Sequence, residues 1–309
     1  SLVGLHTSPS PTGISIHPNQ EYVLIVEHFH KIIKVMLSGS YNSSIWFGDG
    51  TNANTATSIA HPWWIKIAGS GDYVVIGGGA TGQGFFRYFD INAQPHPPNG
   101  SMVGAGFTGG YSRHVVMSDV DDLVYMYASH GSQQGIYRYS AATDPSTYDS
   151  SNINASTIVT GYGLTGGNTG LAIDRKGHNL YWWDNSTKQI RTVSLVEETT
   201  IIPNYYFKQH TSKLKDTNGV ERAVQTMKLA DNDDIYIFLQ NTPGLYKVSA
   251  GANREDTPTY LCPGSEVIER GNGILIHTDG TIYLSCKQTK KIYKYKDGVF
   301  THIAGSGTE

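Results

Sequence analysis

From Lys176 to Leu195 the chain reads KGHNLYWWDNSTKQIRTVSL, two alternating runs joined by a short polar link. Leu180 and Trp182 alternate with Tyr181 and Trp183, and Ile190 and Thr192 alternate with Arg191 and Val193. A period of two in β-branched and aromatic residues marks a strand. The link DNST is turn chemistry, since Asp and Asn bond to their own backbone and tolerate left-handed conformations. The stretch therefore predicts a β-hairpin. A lone hairpin is marginal in water, so partners are expected elsewhere in the chain.

The pattern returns six times. First-strand runs are GISIHP at Gly13, WIKIAG at Trp64, HVVMSD at His114, GLAIDR at Gly170, QTMKLA at Gln225 and GILIHT at Gly273. Second-strand runs are YVLIVE, YVVIGG, LVYMYA, LYWWDN, IYIFLQ and IYLSCK. Third-strand runs are IIKVM, FFRYF, IYRYS, IRTVS, LYKVS and IYKYK, with a basic third residue at Lys34, Arg87, Arg138, Lys247 and Lys294 and only Thr192 departing. A weaker fourth run follows each time: SSIWFG, SMVGAGF, STIVTG, TTIIP, TYLCP and VFTHIAG. First-strand starts fall 48 to 56 residues apart.

Repeats of this length, each four antiparallel strands, predict an all-β fold: a six-bladed β-propeller. The expected domain is single, over 1–309, with blades near 8–47, 61–107, 111–161, 168–203, 222–263 and 271–305. Each blade buries both faces against its neighbours. Trp182 and Trp183 are then expected as core between blades three and five. The 35 Gly, 20 Tyr and only 16% charged residues agree, since they favour turns and strands over long exposed helices.

The run GLAIDRKGHNLYWWDNSTKQIRTVSL resembles YWTD-type propeller blades, while FGDGTNANTATSIAHPWWI and the closing THIAGSGTE resemble NHL-repeat blades. The resemblance implies propeller architecture over nearly the whole chain. Both families are largely binding or scaffold modules, with a minority of NHL relatives being enzymes.

Formal net charge is −3, which provides no field to recruit nucleic acid, and no apolar run is long enough to insert in a membrane. Cys262 and Cys286 alone make neither a metal-binding pair of CxxC motifs nor a disulfide framework. They are read as two buried thiols, with a bridge as the alternative. Sequons at Asn42, Asn99, Asn154 and Asn185 are candidate glycosylation sites.

Loops joining strand four to the next strand one share a face with the two-to-three turns. That face carries the longest links, Gly48–Trp64 and Asn204–Arg222. Trp63, Arg113, His114, Asn168, Arg222, Arg270 and Asn272 are expected to ring the channel there, a receptor for a sugar, a carboxylate or a peptide end. The alternative is that the arginines pair with Asp49, Glu221 and Glu269. Imidazoles beside a carboxylate suit zinc, which makes His28, His30 and His130 the weak metal candidates, near Glu27, His61 and His114. These residues come from different blades with the channel between them, so no metal or other cofactor is expected. There is no nucleophile elbow of the Gly-x-Ser-x-Gly kind.

The function expected is a non-catalytic binding or assembly module, extracellular or at the cell surface. Its partner would be a protein, peptide or glycan, or copies of itself. The alternatives are an NHL-related metal-dependent hydrolase or lyase, or a structural subunit of an extracellular fibre or coat.

Overall fold

The computed structural model describes residues 11–28, 30–38, 42–51, 61–80, 83–91, 101–103, 112–118, 120, 123–128, 135–140, 156–160, 170–174, 176–184, 189–195, 208–209, 214–232, 234–240, 242–249, 258–261, 271–287 and 289–305. Among them the strands form six four-stranded antiparallel sheets, each in chain order from first strand to fourth. The first strands are Pro11–Ile16, Pro62–Ile67, Ser112–Met117, Leu171–Ile173, Val224–Leu229 and Gly271–Ile276, opening sheets one to six respectively. Each first strand touches the first strands of the two neighbouring sheets, and the last touches the first, so the contacts run in a closed circuit. This is an all-β propeller with the first strands around its axis.

Alternation along the second strands explains the packing. In sheet one, Tyr22–Glu27, the side chains of Leu24 and Val26 join Ile65, Ile67, Val74 and Ile76 of sheet two. Val23 and Ile25 point the other way and join Leu275, Tyr283 and Ile292 of sheet six. Asn179–Asp184 of sheet four does the same with its tryptophans: Trp182 packs with Tyr125 and Tyr127 of sheet three, and Trp183 with Val224, Ile237 and Leu239 of sheet five. Both indoles are fully buried. A period of two thus becomes two inter-sheet cores per strand. Cys286 is buried in the core between sheets five and six; Cys262 lies outside the described residues.

Two expectations change. The fourth strand of sheet four is Lys208–Gln209, pairing with Thr192 and Arg191, not the earlier run Thr199–Pro203, which lies outside the described residues. Outer strands are short and half-solvated, as in Thr259–Tyr260 where both residues are exposed, so alternation barely marks them. In sheet five the register of Gly13 belongs to Thr226, one residue later than Gln225, each being the first residue paired after its strand's bulge.

Close approach at the axis sets one glycine. A Cβ on Gly13 would stand 2.9 Å from the Trp63 carbonyl oxygen and 3.0 Å from the Trp64 Cα of the next sheet. No helix of the described residues is long and apolar enough to cross a membrane.

Candidate functional site

The bulge at Gln225 is one of a set. Five of the six first strands shift register near their start, leaving Thr12, Trp63, Arg113, Gln225 and Asn272 as the extra residues. A bulge re-aims a side chain and increases local twist. Repeated at one level, it sets five extra residues of different type at one end of the first strands, called here the upper mouth. Trp63, Arg113 and Asn272, expected to ring the channel, are the extra residues of their strands. Thr12 and Gln225 were not singled out, and the repeat alignment set Gln225 itself against Trp64, one residue out of register.

The densest part of this mouth lies where sheets six, one and two meet. His28 and His30 come from the two-to-three turn of sheet one, and His61 and Trp63 from the link entering sheet two. His28 Nε2 is 3.4 Å from His61 Nδ1, so one ring proton lies between them. The His61 backbone N–H donates to His30 Nδ1 at 3.0 Å, which leaves the proton of a neutral His30 on Nε2. The His28 ring lies 4.3 Å from the Trp63 ring, centroid to centroid. Lys287, first residue after the second strand of sheet six, brings its Nζ to 5.1 Å from the Trp63 ring centroid. It occupies in its sheet the place that His28 occupies in sheet one. Glu27, fully buried, ends the strand just before His28.

The electrostatics of the group follow from its make-up. Burial, then the Lys287 ammonium and the two neighbouring imidazoles, lower the His28 pKa to about 4, against a weaker pull from the Pro62 carbonyl. His28 is therefore neutral at pH 7 and able to accept a proton. The backbone separates scaffold from site. His30 has a left-handed φ of 74°, and its counterpart before the third strand of sheet six, Lys290, has 54°. That geometry belongs to the repeat. Gly48 follows from it: a Cβ there would lie within 2.2 Å of the His30 carbonyl oxygen, just as one at Gly305 would at Lys290. His61 also has a positive φ, 42°, and stands before Pro62, where the ring of the proline already restricts the backbone.

The remaining candidates divide. His114 is buried with its ring 3.9 Å from that of Trp64, in the wall between sheets two and three. Arg222 pairs with Asp216 at 2.9 Å, not with Glu221 beside it. Asp216 also accepts the backbone N–H groups of Asn218 and Val220 and pins the turn 214–222 as a small hairpin. Burial raises the Asp216 pKa, but Arg222 and those two N–H groups outweigh it and hold the carboxyl below its usual value. Arg113 and Asn272 lie on first strands at the bulge level. Asn168, Arg270 and His130 lie outside the described residues, as do Asn99, Asn154 and Asn185; Asn42 is exposed just before the fourth strand of sheet one. The separation expected between His28, His30 and His61 is corrected. His61, just before the first strand of sheet two, lies against the two-to-three turn of sheet one, so residues of two sheets meet without crossing the channel.

No family model matches the sequence, and neither does any curated protein. Solved structures do match. The chain superposes on a gluconolactonase of Xanthomonas campestris with a TM-score of 0.59 at 7% identity, covering 91% of this chain and 84% of that one. Regucalcin, a calcium-binding protein of Agrobacterium tumefaciens, gives 0.58 at 10% identity, covering 91% and 83%. The Swd1 β-propeller domain of Myceliophteria thermophila gives 0.59 at 13%, covering 92% and 83%. The expectation of a non-catalytic module is overturned here, because it argued from propeller to scaffold and the structures this chain resembles include an enzyme. At these identities the likeness establishes one thing about the chain itself: it has the β-propeller fold.

Proposed function

We propose that this chain is a six-bladed propeller enzyme that hydrolyses small esters or lactones at its upper mouth. The observation that carries the reading is the His28–His61 pair, two imidazoles 3.4 Å apart with His28 neutral at pH 7, set beside an indole face and an ammonium. Closed contacts among six first strands support the blade count. The gluconolactonase among the similar structures supports the substrate class.

In this mechanism a water attacks the substrate carbonyl carbon and its proton passes to the imidazole pair. The negative charge that develops on the carbonyl oxygen is stabilised by the Lys287 ammonium. The acyl C–O bond then breaks, and the pair returns the proton to the departing alkoxide oxygen. Water is consumed and an acid and an alcohol, or one hydroxy acid, are formed. Trp63 supplies a flat face against which a ring can lie.

Regucalcin raises the question of calcium. Such an ion takes six to eight oxygen ligands, carboxylates foremost. The six first strands of this chain carry no Asp or Glu, and two of them carry a lysine that lines the channel. Among the described residues no group of three His, Cys, Asp or Glu is placed to hold a metal. A calcium ion in the channel does not fit these residues, and no step is routed through one.

The test is turnover of a panel of small lactones and aryl esters by the intact chain across pH 3.5 to 8. Hydrolysis above buffer is expected, with kcat falling at least about a hundredfold in His28→Gln and in His61→Ala. Trp63→Ala should raise KM more than it lowers kcat. Absence of turnover on the whole panel, or full activity in both histidine variants, would overturn the reading.

A further inference from the structure

The residue that enters the third strand has one backbone geometry in sheets one and six. His30 and Lys290 stand immediately before those strands, Lys31–Met36 and Lys291–Lys296, with φ of 74° and 54°. In both sheets its carbonyl oxygen lies 2.2 Å from where a Cβ would stand on the glycine after the fourth strand, Gly48 or Gly305. A histidine and a lysine serve this backbone alike, so the scaffold does not call for an imidazole at position 30. What the imidazole adds lies across the junction with sheet two.

There Nδ1 of His30 accepts the backbone N–H of His61 at 3.0 Å. The two rings meet edge to face, centroids 4.8 Å apart and planes at 76°. His30 is buried, which strengthens the bond and keeps water from competing for it. His61 is a residue that needs holding. Its φ of 42° is left-handed, which is costly for a residue with a Cβ, and the ring of Pro62 after it favours an extended backbone instead. A conformation of this kind persists only where the surroundings over-determine it. Released to negative φ, His61 would swing its side chain and carry Nδ1 away from His28 Nε2, now 3.4 Å distant.

We propose that His30 is a positioning residue: by holding the His61 N–H on its Nδ1, it fixes His61 in the left-handed conformation and so sets the His28–His61 imidazole pair. His30 acts through His61 and exchanges no proton with substrate. Its share in turnover rests on the hydrolase reading above; its placing of the pair does not. The acceptor required is specific. Asparagine carries its Oδ1 on Cγ, as histidine carries Nδ1, and tolerates positive φ better than most residues. Asn at position 30 keeps the acceptor and loses the ring. Alanine loses both without adding charge, and lysine loses the acceptor while adopting this backbone, as Lys290 does.

Two measurements on the intact chain test the proposal. Long-range nitrogen–proton NMR of the histidine rings reads the pair directly. The original chain and His30→Asn should show one downfield ring proton on the pair, assigned by its absence from His28→Gln and from His61→Ala. His30→Ala and His30→Lys should lose it. On the lactone and ester panel, kcat in those two variants should fall about ten- to a hundredfold with KM within about twofold, while His30→Asn stays within about threefold of the original chain. Thermal denaturation checks that each variant folds. A downfield proton that survives in His30→Ala and His30→Lys, its absence from the original chain, or its loss in His30→Asn would overturn the proposal. So would undiminished kcat in both His30→Ala and His30→Lys. If the spectra follow this pattern in a chain that turns over nothing on the panel, the hydrolase reading fails and the placing of the pair by His30 stands.

Discussion

The two mouths of the channel are built by different rules. At the lower mouth four of the one-to-two turns repeat a single geometry. Gln20, Gly71, Gly177 and Gly280 each donate their N–H to the carbonyl three residues back, and each has a positive φ, between 61° and 82°. Three are glycine, for which that conformation carries no Cβ penalty. At the upper mouth the backbone repeats as well, through its bulges, but the residue types at the bulge position do not: they are Thr12, Trp63, Arg113, Gln225 and Asn272. Repeated turns hold a ring together, whereas varied side chains on repeated bulges make one place on the ring unlike the others.

The largest effect on this contrast comes from the core that both mouths share. Trp183→Ala empties an indole site between sheets four and five and should cost about 3–5 kcal/mol. Chemical denaturation should show the loss, with activity at the upper mouth failing in the same transition as the sheets. If activity were lost at a denaturant concentration where the sheets stayed folded, the upper mouth would not share one cooperative scaffold with the rest of the ring.

Glycine replacements should separate the mouths by degree. Gly48→Ala places a methyl against the His30 carbonyl at a φ of 90°, and should cost about 2 kcal/mol or more while displacing His30. Gly280→Ala, with a φ of 79° and nothing within 4 Å of the added methyl, should cost about 1 kcal/mol. Equal losses of Tm in the two variants would count against the crowding described at the upper mouth.

A pH dependence between pH 6.5 and 4 probes the upper mouth. The folded His28 pKa is about 4, below the unfolded value of 6.5, so the unfolded chain takes up a proton first as pH falls. The stability linked to this group is fully present above pH 6.5 and declines between pH 6.5 and 4. Tm should fall through that window less steeply in His28→Gln than in the original chain. Superimposable Tm profiles would show that the environment assigned to His28 is wrong.

Much of this molecule is readable in its residues, because strands buried on both faces must alternate and hairpin turns need Gly, Asn and Asp. The six echoes of GLAIDRKGHNLYWWDNSTKQIRTVSL, the burial of Trp182 and Trp183 and the level of Trp63 all follow from period and turn chemistry. Outer strands were harder, as Lys208–Gln209 shows, because one solvated face removes the demand for alternation. The histidines were individually visible, yet their meeting was not. Lys66 and Lys228 are 162 positions apart along the chain and become neighbours of one cavity only when the ring closes. Local hydrogen bonding and hydrophobic alternation act over a few residues, so the sequence by itself determined strands, turns and their repetition. Which side chains share a space depends on bulges and on how neighbouring sheets meet around the closed ring, and those were decided by packing between sheets.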